Sequence, residues 1–70
     1  MIKIYTRQKC LSCVAVKTYL LKKDIKFDEL PITDEVIELY KDKADVLPII
    51  TVDDVYFSHG FDSEKLGELK

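Results

Sequence analysis

Apolar residues recur along the chain with two spacings, one typical of strands and one typical of helices. Four short runs that contain β-branched and aromatic residues predict strands at residues 2–5, 25–30, 49–52 and 55–57. Three longer runs predict helices at residues 11–23, in the segment that follows Thr33, and at about residues 62–69. The predicted order is β-α-β-α-β-β-α, an α/β fold in a single domain that spans residues 1–70.

The first predicted helix carries a broad apolar stripe on residues three or four positions apart. The stripe consists of Leu11, Val14, Ala15, Thr18 and Leu21, and it is widened by Val16 and Leu20. So wide an apolar arc predicts a helix that packs firmly against a sheet.

The two later helices have recognisable start signals. Thr33 is the expected N-cap of the second helix, and Ile32 and Ile37 are spaced to form a hydrophobic staple. The expected buried face of this helix consists of Val36, Ile37, Tyr40 and Ala44. Asp62 is the expected N-cap of the last helix, where Phe61 and Leu66 form a second candidate staple.

The order of the strands predicts a mixed sheet. The first three elements form a βαβ unit, which predicts parallel strands joined by a right-handed crossover. Pro31 is expected to end the second strand, because proline cannot donate a hydrogen bond to a neighbouring strand. Asp53 and Asp54 separate the last two strands and predict a tight antiparallel hairpin, although without the glycine favoured there. Together these features predict a mixed four-stranded sheet flanked by three helices.

Charge and composition argue against several classes of protein. The chain has 11 basic and 13 acidic residues and a net charge of −2, so it lacks the basic surface that nucleic-acid binding requires. No stretch is long and apolar enough to cross a membrane, and residues 1–5 lack the apolar core of a signal peptide. We therefore expect a cytoplasmic protein, in a compartment where a disulfide is more often catalytic than structural.

Cys10 and Cys13 are the most informative residues of the chain. They lie where the first strand ends and the first helix begins, so Cys10 is expected near the helix N-terminus. Unpaired backbone N–H groups and the helix dipole stabilise an anion there, which should lower the pKa of the Cys10 thiol and activate it. Lys9 and Arg7 can add positive potential. Cys13 lies one turn further along the helix, which suits the resolving thiol of a disulfide exchange.

The same two cysteines have other interpretations. They could be ordinary core residues, or half of a zinc site in a non-catalytic adaptor, which would need His59 with a carboxylate, or a second chain. A CxxC pair beside a βαβ pattern is typical of redox proteins, so the redox interpretation is favoured and no metal is expected. His59 is either incidental or titrates near the thiolate; the first is favoured because no acid or thiol is near it in sequence.

Three segments carry a family resemblance: IYTRQKCLSC at residues 4–13, VLPII at 46–50 and SHGFD at 58–62. On these segments the chain resembles the glutaredoxin-like redoxins, and most closely the NrdH-type redoxins that reduce ribonucleotide reductase. The resemblance covers essentially the whole order of elements and implies a thioredoxin-like fold. It also implies dithiol electron transfer without a cofactor, in which Cys10 attacks a client disulfide and Cys13 resolves the mixed disulfide.

The resemblance further implies substrate-binding residues around the cysteines. Leu47 and Pro48 are implied to share a cis peptide bond, which would leave the Leu47 backbone free to pair with an extended substrate. Without the resemblance, a trans proline that starts an edge strand would be the simpler interpretation. Arg7 is implied to hold a carboxylate of the partner, with a solvated side chain as the alternative.

The segment around Gly60 bears on the electron donor. Gly60 is implied to let a substrate backbone approach closely, and Gly60-Phe61 matches the pair found in NrdH-type redoxins, which favours thioredoxin reductase as donor. The ring of His59 also favours thioredoxin reductase, because glutaredoxins carry a glycine at this position. Asp62 and Ser63 keep the chemistry with which glutaredoxins hold glutathione, so glutathione is the alternative donor; Asp62 could equally be only an N-cap. The implied client is ribonucleotide reductase, and the expected state is a monomer.

Overall fold

A computed structural model describes residues 1–44 and 46–69 of the chain. Its seven elements follow the predicted order. They are β1 Ile2–Thr6, α1 Leu11–Lys22, β2 Asp28–Pro31, α2 Asp34–Tyr40, β3 Ile49–Val52, β4 Val55–His59 and α3 Ser63–Leu66. Among the described residues, no helix has the length and apolar character needed to cross a membrane.

The four strands form one mixed sheet in the order β2-β1-β3-β4. The β1 strand pairs in parallel with β2, where Ile4 lies opposite Glu29, and antiparallel with β3, where Ile4 lies opposite Ile50. The β3 and β4 strands are antiparallel. The predicted mixed four-stranded sheet and its parallel first pair are therefore confirmed.

The hairpin between β3 and β4 turns at Asp53 and Asp54, as predicted. Their φ angles are 52° and 66°, and a two-residue turn with both φ angles positive matches the twist of the flanking strands. Aspartate tolerates this conformation better than most residues, which explains how the turn forms without glycine. The carboxylate of Asp54 also accepts a hydrogen bond from Lys3 Nζ at 2.7 Å, which ties the turn to β1.

The core lies between α1, α3 and one face of the central strands. It consists of Ile4, Val16, Leu20, Ile50, Leu66 and Leu69. None of these residues comes from α2, and no residue of α2 itself is fully buried. The central strands of the sheet are therefore covered on one face by α1 and α3.

The buried face of α1 differs from the predicted stripe. Leu11 and Leu21 are 88% and 68% exposed, whereas Val16 and Leu20, which were predicted only to widen the stripe, are buried together with Cys13. The predicted stripe and the buried row of Cys13, Val16 and Leu20 are both apolar, so spacing alone does not show which of them faces the sheet. The sheet selects the row that contains Cys13, which places that residue inside the protein.

The segment after α1 also differs from its prediction, because β2 begins at Asp28 and not at residue 25. Asp24 has a φ of 58°, and the N–H groups of Asp24 and Ile25 donate to the carbonyls of Leu21 and Leu20, so residues 24 and 25 complete the helix C-terminus. Pro31 lies within β2, not after it. It is tolerated because β2 is an edge strand, where a missing N–H removes no ladder bond.

The predicted caps of the later helices are present. Thr33 Oγ1 accepts a hydrogen bond from the N–H of Val36, and Asp62 Oδ1 accepts from the N–H groups of Glu64 and Lys65. The α3 helix is shorter than predicted, and β4 extends two residues further, to His59.

The predicted apolar face of α2 is less buried than expected. Ile37 is exposed, while Val36, Tyr40 and Ala44 are half-buried. Ile37 and Ala44 instead line an open groove beside Cys10. This helix therefore forms one wall of the site and adds little to the core.

Candidate active site

The two cysteines lie at the junction of β1 and α1 and form a disulfide, with their Cα atoms 5.2 Å apart. Cys10 is the N-cap residue of α1, with an extended backbone, and it is half-buried. Cys13 lies in the first turn and is only 1% exposed. An attacking sulfur must reach solvent and a resolving sulfur need not, so the exposure of the pair suits an exchange that begins at Cys10.

The surroundings of Cys10 favour a negative charge on its sulfur. Cys10 Sγ accepts a hydrogen bond from the backbone N–H of Cys13 at 3.2 Å. The first turn of α1 contains no acidic residue that would oppose the helix dipole. Lys9 and Arg7, both exposed, line the same groove as Cys10 and add positive charge. A thiolate formed on reduction would therefore be stabilised at this position.

Ser12 connects the cysteines to the segment before β3. Its Oγ donates a hydrogen bond to the carbonyl oxygen of Leu47 at 2.5 Å and lies 3.4 Å from Cys10 Sγ. The same carbonyl oxygen is 3.9 Å from Cys10 Sγ. Sequence reasoning did not single out Ser12; the available signal was a hydroxyl side chain placed between the two cysteines.

The Leu47–Pro48 peptide bond is cis, as the family resemblance implies. Pro48 is buried, and its carbonyl oxygen accepts a hydrogen bond from the N–H of Gly60 at 2.9 Å. Gly60 has a φ of 66°, and a Cβ there would lie 3.0 Å from Cγ2 of Val46. The segment 46–48 and Gly60 are thus held together beside the cysteines.

Two open grooves flank Cys10. One, of about 650 Å³, runs past Cys13 toward β2 and includes Lys17 and Glu29. The other, of about 560 Å³, runs between Cys10, α2 and the segment before β3, and includes Ser12 and Leu47. Arg7 and Cys10 line both grooves, so a partner could reach the Cys10 sulfur from either side.

A charged cluster lies in the groove that contains Cys13. Glu29 accepts hydrogen bonds from Lys17 Nζ at 2.8 Å and from Thr6 Oγ1 at 2.9 Å. The hydrogen bond from Lys17, followed by that from Thr6, holds the pKa of Glu29 below its ordinary value. Residues 2–6 of β1 include no carboxylate, so the acid in this groove comes from β2, which the sequence did not indicate.

The remaining predicted site residues, Phe61 and Asp62, lie outside the two grooves. The Phe61 ring is 48% exposed and packs edge-on against Tyr19, with ring centroids 6.2 Å apart. Asp62 is exposed and caps α3. Within the described residues, neither lines either of the two grooves.

His59 lies in an aromatic cluster beside Gly60. Its Nδ1 is 2.5 Å from the hydroxyl oxygen of Tyr56, and Tyr56 packs in turn against Tyr40. In the described part of the chain, no three His, Cys, Asp or Glu side chains are grouped so that they could hold a metal ion.

Comparisons with known proteins agree with this geometry. Two curated Lactococcus lactis proteins, both named Glutaredoxin-like protein NrdH, are similar over 99% of both chains. The protein from subsp. lactis is 36% identical and that from subsp. cremoris is 35% identical. No family model matches the chain.

A solved structure extends the similarity to the fold. The glutaredoxin-like protein NrdH-redoxin from Escherichia coli, described as having a thioredoxin-like activity profile, superimposes with a TM-score of 0.80. It is 25% identical, and the match covers 99% of this chain and 93% of that one. The predicted thioredoxin-like fold is thereby confirmed.

Proposed function

Because this chain belongs to the glutaredoxin-like NrdH proteins, we propose that it carries electrons from thioredoxin reductase to client protein disulfides, with ribonucleotide reductase as the client. The family and the Cys10–Cys13 pair make the protein a thiol–disulfide oxidoreductase. The observation that carries the proposal is the unequal placement of the pair, with Cys10 capping α1 at the edge of two grooves and Cys13 buried behind it.

The proposed reaction passes two electrons through the two sulfurs. The Cys10 thiolate attacks one sulfur of the client disulfide, forms a mixed disulfide and releases the other client sulfur as a thiolate. Cys13, as a thiolate, then attacks the Cys10 sulfur, which closes the Cys10–Cys13 bond and frees the second client sulfur. Thioredoxin reductase, with NADPH, returns the pair to the dithiol. The reducing cytoplasm is the compartment that we propose for this cycle.

The proposed docking surface surrounds the Cys10 sulfur. Leu47 presents backbone on one side, held in place by the buried Pro48–Gly60 hydrogen bond behind it, and Arg7 provides a positive charge for a client or donor carboxylate. Leu11, Val14 and Val46 are exposed apolar residues near the cysteines, and Phe61 and Asp62 extend the surface toward α3. A protein surface would bury these apolar side chains, which supports protein partners over a small tripeptide.

Donor choice is tested by measuring NADPH consumption with a small disulfide substrate. Thioredoxin reductase should support rapid turnover, and glutathione with its own reductase should support little. The description of the Escherichia coli NrdH-redoxin as thioredoxin-like in activity supports this expectation. His59→Gly should raise the glutathione-dependent rate if the ring hinders the tripeptide. Efficient turnover of the unmodified protein with glutathione, and none with thioredoxin reductase, would reverse the assignment of the donor.

The roles of the two cysteines are tested by trapping. Cys13→Ser should accumulate a mixed disulfide with oxidised ribonucleotide reductase, visible as a band on a non-reducing gel that disappears with reductant. Cys10→Ser, the matched control, should trap nothing. Trapping by Cys10→Ser alone would exchange the two roles. A zinc-binding adaptor would instead retain stoichiometric zinc after dialysis and would lack reductase activity.

A further inference from the structure

The hydroxyl of Ser12 lies between two possible acceptors. Its oxygen is 2.5 Å from the carbonyl oxygen of Leu47 and 3.4 Å from Cys10 Sγ. A serine hydroxyl has one hydrogen, so it can donate to only one of the two at a time. Ser12 is half-buried in the first turn of α1, and this position keeps both acceptors within reach of a small rotation about its side chain.

The redox state of Cys10 decides which acceptor is stronger. In the disulfide the sulfur carries no charge and is a weak acceptor, and the shorter distance is to the amide carbonyl of Leu47. After reduction, Cys10 can carry a full negative charge at the N-terminus of α1. Hydrogen bonds to an ionised acceptor are about twice as strong as those between neutral groups. The preference of the hydroxyl should therefore reverse on reduction.

We infer that Ser12 is a redox-dependent positioning residue whose hydroxyl hydrogen bond moves from Leu47 O to the Cys10 thiolate on reduction, and returns when the disulfide re-forms. No covalent bond of Ser12 forms or breaks. The electrons and protons are exchanged only at the two sulfurs, and in that respect the inference rests on the proposed function. In the reduced protein, the Cys10 sulfur would accept from both the Cys13 N–H and the Ser12 hydroxyl.

The movement of the Ser12 hydrogen bond has a consequence for Leu47. When the hydroxyl leaves, the Leu47 carbonyl loses its donor and can accept an N–H from an extended client segment in the groove that Ser12 and Leu47 line. When the disulfide re-forms, the hydroxyl hydrogen-bonds to the carbonyl again and competes with that segment for the same oxygen. The dithiol form should accordingly bind an extended peptide more tightly than the disulfide form.

The first test compares Ser12→Ala with Ser12→Thr, which keeps a hydroxyl. Thr18→Ala is the matched control, because it removes an exposed hydroxyl from the same helix outside both grooves. In the reduced protein, Ser12→Ala should lower the ratio of Cys10 thiolate to thiol about tenfold at neutral pH, measured by thiolate absorbance, which is about 1.4 kcal/mol. Ser12→Thr and Thr18→Ala should titrate like the unmodified protein. An unchanged titration in Ser12→Ala would overturn the inference.

The second test can be decided with the unmodified protein alone, and Ser12→Ala serves as its control. On reduction, the carbonyl carbon resonance of Leu47 in the unmodified protein should move upfield, as expected when a carbonyl loses its hydrogen bond, and it should move back on reoxidation. In Ser12→Ala the resonance should no longer respond in this way. A Leu47 resonance that is the same in both redox states of the unmodified protein would refute the exchange, even if the variants failed to fold.

Both readouts are independent of any donor or client, because dithiothreitol sets the redox state. If the Ser12 hydrogen bond did not move on reduction, the donor and trapping results would therefore still stand. Conversely, the movement of the Ser12 hydrogen bond could be observed even if ribonucleotide reductase proved not to be the client. The equilibrium with dithiothreitol adds a third readout, since loss of the thiolate hydrogen bond should shift Ser12→Ala toward the disulfide form severalfold.

Discussion

Replacing Gly60 with alanine should destabilise the protein and disturb the segment beside the cysteines. Gly60 has a φ of 66°, which costs a residue with a Cβ about 1–2 kcal/mol. The new Cβ would lie 3.0 Å from Val46 Cγ2. Relieving that contact should cost about 1 kcal/mol, the lower end for overpacking, because Val46 is exposed and can move. The reduced entropy of the unfolded chain offsets less than about 1 kcal/mol of this.

The net loss in unfolding free energy is therefore expected to be about 2 kcal/mol. For a domain of this size, that loss lowers the melting temperature by roughly 8–16 °C, measurable by circular dichroism. The rate of disulfide reduction should fall by more than the unfolded fraction explains. The reason is that the Gly60 N–H holds the Pro48 carbonyl beside the site, and the strained segment would shift it.

Two control variants separate the cost of the positive φ from the cost of the contact with Val46. Gly67→Ala makes the same substitution at a φ of −64°, with the new Cβ 3.2 Å from the Ser63 carbonyl oxygen, and should change stability by less than about 1 kcal/mol. Val46→Ala combined with Gly60→Ala should recover the part due to the contact, about 1 kcal/mol in a double-mutant cycle. If Gly60→Ala were as stable as Gly67→Ala, the requirement for a positive φ would be refuted.

Three further predictions concern stability. Leu20→Ala should cost about 2–5 kcal/mol in chemical denaturation, because Leu20 is fully buried, whereas Leu21→Ala should cost well under 1 kcal/mol; equal losses would contradict the buried face of α1. Thr33→Ala should lower the unfolding free energy by about 1 kcal/mol through loss of the N-cap, and Thr33→Ser should restore most of it. Glu29→Gln should be slightly less stable than the unmodified protein at neutral pH, by about 0.5 kcal/mol or less, because the bond from Lys17 is partly exposed. Since that bond lowers the pKa of Glu29 in the folded state, its contribution is present above the ordinary carboxyl pKa of about 4.3 and is lost as the pH falls through the lower folded value. The two denaturation curves should thus converge on acidification, and a constant gap would contradict the assigned sign.

Local patterns were sufficient for much of this protein. The order of elements, the N-caps at Thr33 and Asp62 and the hairpin at Asp53-Asp54 followed from residues within a few positions of one another. The placement of Cys10 at a helix N-terminus followed in the same way. Caps, turns and periodicity depend on backbone groups three or four residues away, which a sequence displays directly.

Other features were decided only when distant segments met. The buried row of α1 was chosen by the sheet, because two apolar rows on one helix are equivalent until one of them finds a partner surface. The start of β2 shifted because the end of α1 needed residues 24 and 25 to satisfy its last carbonyl groups.

The site shows the same division. The cysteine pair is visible in the sequence, but Ser12 reaches Leu47 across 35 positions, and Lys17 reaches Glu29 across 12. Such contacts join side chains and carbonyls on different elements, so their distances depend on how α1 packs against the sheet and on the path of the segment before β3. The sequence by itself determined which residues can exchange a disulfide. Only the tertiary structure decided which neighbours hold the reactive sulfur, because hydrogen bonds form at distances near 3 Å that no local pattern specifies.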